Sequence, residues 1–235
     1  MGDRTIRLFP QQGGTTLGLM PIPVLAPVKV YKLEYLKDSG TVAGTSDIRV
    51  RNARFPTQNI RLSKETQTLQ PSPGEMETVN ALRKEVTDAR HWDEPFVAPV
   101  PGCMTSPFGV LRLHNGKPTG SYHGGLDQRG PEGTAIQAIA GGTVRIVRMF
   151  NIHGGTVGID HGQGVTSFYL HMSKFAASEG ATVRKGDVVG YVGTTGRSTA
   201  PHLHWSLAVN GLNVNPTQWV KVGRCDAAPK KKRSK

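Results

Sequence analysis

The sequence predicts a mostly β protein. The expected order is a small antiparallel, sandwich-like β domain, a short linking helix, and a larger antiparallel β domain. Two observations carry this reading. Glycine and proline number 29 and 16 in 235 residues, and they punctuate the chain too often for long helices. Between them stand short runs of β-branched and aromatic residues, the composition of strands. A chain of this length suits one large or two modest domains and is long enough to bury a core.

Taken in order, residues 1–70 alternate short β-like runs with turns. Val28 to Tyr35 alternates apolar and charged residues, with one slip at Tyr31, as a half-buried strand does. Asp38-Ser-Gly40 reads as a turn, and Ile48–Val50 and Ile60–Leu62 read as further strands. This first region contains no histidine. Ser72-Pro-Gly-Glu75 has the spacing of a capping box with proline at the first helical position. Met76, Val79, Leu82 and Val86 then recur at helical spacing, predicting an amphipathic connector helix to about Ala89. Pro95, Pro99 and Pro101 form an extended linker, so residues 71–101 divide the chain. From Gly102 onward, Thr143–Val147, Thr156–Ile159 and Val165–Leu170 read as strands. Val183–Val192 carries a Lys-Gly-Asp turn between two more. The second β domain is placed at 102–222 and a basic tail at 223–235, ending Lys230-Lys-Lys-Arg-Ser-Lys235.

The formal net charge is +12, which points to an anionic partner: cell-wall polymer, nucleic acid or membrane surface. Aromatic residues make up only 6% of the chain, and no module interleaves them with a basic surface, so a nucleic-acid binder is disfavoured. No apolar run is long enough to span a bilayer. Leu17–Pro27 is apolar, but Pro21, Pro23 and Pro27 break it and no small-residue cleavage site follows, so it is not read as a signal peptide. Of the two cysteines, Cys103 and Cys225, neither sits in a CxxC pair. They flank the segment holding most histidines, and two readings stand open: a disulfide tying its ends, or two buried thiols.

Six of the eight histidines follow His114. Tyr122-His123-Gly-Gly-Leu-Asp127 places an imidazole and a carboxylate at i and i+4, and an even spacing in extended chain puts both on one side. His202 and His204 lie two apart in a run that continues Trp205, Leu207 and Val209, so a strand points both imidazoles one way. A catalytic zinc wants three protein ligands and an open position. His123, Asp127 and one of the two strand histidines supply that set. The chain has no His-Glu-x-x-His, so the proton work falls to histidine, with His202 and His171 as candidates. Alternation along Val165–His171 puts Val165, Ser167, Tyr169 and His171 on one face, with Thr166, Phe168 and Leu170 on the other. His91, His153 and His161 read as surface or structural residues.

His123-x-x-x-Asp127, Tyr169-Leu-His171 and His202-x-His204, in this order, resemble the LytM/lysostaphin-type zinc metallopeptidases. Thr105-Ser-Pro-Phe-Gly109, Asp160-His-Gly162 and Gly193-Thr-Thr-Gly-Arg-Ser-Thr-Ala-Pro-His-Leu-His204 match as well. The resemblance covers about residues 102–220. It implies an antiparallel β-sheet groove with one Zn2+ at its floor, held by His123, Asp127 and His204. It implies His171 and His202 as the catalytic pair that handles the water and the developing charge. Activity on peptide cross-links or bridges of peptidoglycan is the implied function, and a periplasmic or extracellular setting follows from that substrate. The export signal is then expected to have been removed. Ala200 and Ser206 stand where many relatives carry glycine and glutamate, and Arg112 and His114 lie where some relatives contact substrate. The rival reading is a non-catalytic wall-binding regulator of another hydrolase. A biotin- or lipoyl-carrier domain shares the rhythm of Val183–Val192 but has no place for the histidines.

Overall fold

A computed structural model describes residues 4–225; the basic run Lys230–Lys235 lies outside the described residues. The first region carries two antiparallel pairs. Strands β1 (Phe9–Pro10) and β2 (Thr16–Leu17) form one, and β3 (Val30–Leu36) and β4 (Val42–Arg49) form a hairpin around the expected Asp38-Ser-Gly40 turn. The next strand, β5 (Thr57–Ile60), does not join them. It pairs in parallel with β7 (Leu111–His114), which is itself antiparallel to β8 (Lys117–Tyr122). The first region thereby contributes an edge to the second.

After a short helix α1 (Lys64–Thr68), helix α2 runs from Glu75 to Lys84. It ends five residues before the sequence suggests, because Glu85 turns extended and the chain then runs along the sheet edge, where Gln163 N–H donates to Thr87 O and His91 N–H to His161 O. Half of the expected capping box forms. The Glu75 carboxylate accepts from Ser72 N–H at 2.7 Å, but the Ser72 hydroxyl turns away to accept from Asn151 N–H, and Gly74 occupies the N-cap. Residues 92–101 pack against the sheet rather than crossing solvent: Trp92 and Phe96 are buried and meet Trp219 edge to face, and Val97 N–H donates to Ile139 O.

The remaining strands are β6 (Met104–Ser106), β9 (Leu126–Gln128), β10 (Ala135–Gln137), β11 (Gly142–Phe150), β12 (Gly154–Gly162), β13 (Val165–Phe175), β14 (Thr182–Val183), β15 (Val188–Val192), β16 (Leu203–Val209) and β17 (Leu212–Val214). One sheet runs β14-β11-β12-β13-β16-β9-β6, with β17 added on β16 and β15 bridging β13 to β10. The strands flanking the Lys-Gly-Asp turn therefore pair with different neighbours and not with each other. Alternation splits the side chains between two cores. Leu126, Ile159, Tyr169, Trp205 and Leu207 fill the larger one. On the opposite face Ile146, Phe168, Leu170 and Ala208 pack under Val79 and Leu82 of α2. The helix can approach because Gly158 lies beneath it; a Cβ there would stand 2.5 Å from Leu82 Cδ2. A disulfide joins Cys103 to Cys225, resolving the open choice between bridge and thiols and tying both ends of this domain.

Candidate active site

The face under α2 opens into a cleft of about 410 Å³. Strand pairing delivers its polar floor. In the antiparallel pair β16–β9, His204 stands directly opposite Asp127, and across β13 it stands opposite Leu170. Directly opposed residues share a face. His202, two residues before His204 and bridged to Gly193, points the same way and lines the cleft. His123 follows β8, where its N–H donates to Val110 O.

The result is a tight triangle. Asp127 Oδ1 lies 3.0 Å from His123 Nε2 and 2.8 Å from His204 Nδ1, and the two nitrogens are 3.0 Å apart. A tetrahedral zinc site with bonds of about 2.0–2.1 Å spaces its ligands by roughly 3.3 Å, so the triangle is close to the required size. Its chemistry fits too. His123 Nδ1 faces Pro107 O at 2.9 Å and must carry that ring's proton, leaving Nε2 as a bare lone pair. Three acceptors thus converge with at most one hydrogen, from His204, to share among them. Buried acceptors in that position call for a cation. Arg112 Nη2 reaches the other Asp127 oxygen, Oδ2, at 3.3 Å.

His171 reaches the cleft by a route that strand alternation does not anticipate. Between the pairs Val157↔Tyr169 and Gly155↔Met172, β13 has two residues where β12 has one. His171 takes φ +62°, in the left-handed region, within this bulge. The extra residue breaks the parity, so His171 shares the cleft with Phe168 and Leu170, while Tyr169 stays in the larger core. The expected grouping of His171 with Val165, Ser167 and Tyr169 is corrected accordingly. Its ring lies 5.2 Å from that of His202 and 6.1 Å from that of His204, centre to centre. Both His171 and His202 are oriented through Nδ1, which faces Thr195 O at 2.8 Å in one and Ala200 O at 2.8 Å in the other. Each ring therefore presents Nε2; that of His202 stands 3.8 Å from Asp127 Oδ1. Burial, then the neighbouring imidazoles His204 and His202, push His171 down to about 3, so it is neutral at neutral pH.

A supporting contact escapes sequence reasoning. Glu75 is fully buried, and its carboxylate accepts from Ile152 N–H and His153 N–H and meets His153 Nδ1 at 2.6 Å. His153 O in turn accepts from His171 N–H at 3.0 Å. Helix α2 is thus tied through one turn to the bulge carrying His171. No local signal links residues this far apart; only the acidic half of the capping box marks Glu75. His161 is buried and structural, with Nδ1 on Gly141 O and Nε2 2.7 Å from Ser167 Oγ. His91 lies at the sheet edge. Ser206 is buried beside the cleft, and His114 lines it.

A β-sheet cleft with a His-Asp-His triangle at its floor and two further oriented imidazoles above defines a metal-dependent hydrolase type of site. Residues 121–216 match the model for peptidase family M23, and this segment is an M23 domain. It is 43% identical over 113 residues to the DD-carboxypeptidase/endopeptidase Mpg of Neisseria meningitidis, covering 48% of this chain and 26% of that protein. It is 35% identical over 128 residues to the peptidoglycan DD-endopeptidase ShyA of Vibrio cholerae, covering 54% of this chain and 30% of that one. The match therefore spans under a third of these curated relatives. A Pseudomonas aeruginosa structure assigned to peptidase M23 superposes with a TM-score of 0.68 at 28% identity, covering 91% of this chain and 82% of that one. No helix among the described residues is long and apolar enough to cross a membrane.

Proposed function

We propose that this chain is a zinc-dependent endopeptidase acting on peptide cross-links or bridges of bacterial peptidoglycan. The observation that carries the reading is the convergence of His123 Nε2, Asp127 Oδ1 and His204 Nδ1 in one cleft with two further oriented imidazoles. In this reading those three atoms hold a single Zn2+, which when bound polarises a carbonyl and acidifies water to near neutrality. His171 and His202 do the proton work. Their Nδ1 protons are committed to backbone carbonyls, so each offers Nε2 to the reacting groups. One of the two rings accepts a proton from the attacking water at Nε2; the imidazolium so formed stabilises the charge that develops on the scissile carbonyl oxygen and then passes the proton to the departing amine. Arg112 steadies Asp127 from behind, keeping the carboxylate charged and its Oδ1 turned inward.

The two relatives are a DD-carboxypeptidase/endopeptidase and a peptidoglycan DD-endopeptidase, which favours a DD cross-link as the bond cut. The Cys103–Cys225 bridge fits an oxidising periplasmic or extracellular setting. Digestion of purified peptidoglycan, with mass analysis of products with and without a zinc chelator, tests the reading. Chelator-sensitive release of peptides is expected, and the new amino termini name the bond. No release by zinc-loaded protein would reject the enzyme and leave a wall-binding role.

A further inference from the structure

Asp127 is the one carboxylate among the residues lining the cleft, against three arginines, Arg83, Arg112 and Arg197. Arg112 is already engaged with Asp127. Arg83 is different: it comes from α2, outside the region matched by the family, and no carboxylate pairs with it among the described residues. Its guanidinium carbon lies 5.6 Å from the centre of the Phe168 ring, and Nη1 is held by Asn80 Oδ1. Its Nε is buried and has no hydrogen-bond partner. Asn213 Oδ1, in the same cleft, is likewise buried and unpartnered.

A half-desolvated guanidinium with an idle donor lacks the counter-charge that such groups ordinarily have. Its planar fork fits a carboxylate through two parallel N–H bonds. The strand register gives its position. Phe168 stands opposite Ser206 and Leu170 opposite His204, so Arg83 overlies a point two strand residues from His204, roughly 7 Å along β16. An extended peptide covers that distance in about two residues.

We propose that Arg83 is a specificity-determining residue that binds a free carboxylate of the peptide substrate about two residues from the scissile bond, with Arg197 reinforcing the positive field. The inference rests on the peptidase reading for the identity of the ligand. Burial draws the Arg83 guanidinium below its ordinary value, as expected of a cation without its partner. A peptidoglycan stem offers two sources of this group, the main-chain terminus and a side-chain carboxylate, and amidation separates them.

The test uses the zinc-loaded full chain and a synthetic stem tetrapeptide in three forms: free, C-terminally amidated, and side-chain amidated. Dissociation constants are measured by calorimetry for wild type, Arg83→Gln and Arg83→Lys. Wild type is expected to bind one amidated form about tenfold more weakly than the free peptide. Arg83→Gln should bind all three equally, and Arg83→Lys, which keeps the charge without the fork, should fall between. A wild type without preference, an absence of binding, or an Arg83→Gln variant that keeps the full preference would overturn the proposal. Binding is read without turnover. Preference without peptidoglycan cleavage would therefore refute hydrolysis alone, and cleavage without preference would refute the carboxylate site alone.

Discussion

Replacing Glu75 by glutamine tests whether α2 is welded to the sheet through one buried carboxylate. Oε1 accepts from His153 N–H at 2.9 Å and Ile152 N–H at 3.1 Å, and Oε2 accepts from Ser72 N–H at 2.7 Å. An amide fitted into this site faces a backbone N–H with its own NH2 whichever way it turns. The less costly orientation gives up Ser72. A hydrogen bond to a charged group contributes about 1.5–3 kcal/mol, and a buried donor left unpaired costs about 1–3 kcal/mol. Since these overlap, the expected loss is about 2–4 kcal/mol, or roughly 5–15 °C in Tm for a domain of this size. Thermal unfolding of zinc-loaded protein measures it, with Glu77→Gln on an exposed position of the same helix turn as control. The sign with pH is fixed too. Burial raises the Glu75 carboxyl, but the N–H bonds from His153 and Ser72 overcome that and leave it lowered. The carboxylate thus stabilises the fold above its ordinary value of about 4.3, and this is lost as pH falls through the lowered one. A Tm within about 2 °C of wild type, with an unchanged acid limb, would refute the weld.

Two more outcomes follow from the geometry. A Cβ on Gly125 would lie 2.3 Å from Trp205 O and 2.7 Å from His204 Nε2, whereas one on Gly124 would meet only the side chain of Asn213. Gly125→Ala should therefore displace His204 and weaken zinc affinity about 10–100-fold, while Gly124→Ala keeps it; competition with a chromophoric chelator reads both. Burial lowers His161 from 6.5 to about 4, so the unfolded chain takes up a proton that the folded one refuses. Stability present above about 6.5 should fall as pH drops towards 4, by roughly 3 kcal/mol at most. Urea unfolding at the two ends of that window should show a smaller drop for His161→Gln than for wild type.

What the sequence made legible was the part governed by short-range parity. His202 and His204 share a face because they are two residues apart on one strand, and His123 and Asp127 are separated by only a tight Gly-Gly-Leu connection. The helix, the turn before β4 and the β-rich texture follow from local composition. The rest depends on register between distant segments. A single inserted residue in β13 turns His171 to the other face, and no pattern within Val165–His171 encodes that bulge. The parallel docking of β5 on β7, the reach of Glu75 to His153, and the placing of Arg83 over Phe168 are likewise long-range. Cys103 and Cys225 are separated by 122 residues, so only the fold decides whether they meet.

Zinc content measured beside turnover separates the roles proposed for the five side chains. His123→Ala, Asp127→Ala and His204→Ala should each lose both the metal and peptidoglycan cleavage. His171→Ala and His202→Ala should keep about one zinc per chain and lose turnover by 100-fold or more, the scale of general acid–base catalysis. Loss of zinc in either of the last two, or full zinc occupancy without His204, would refute this assignment of roles.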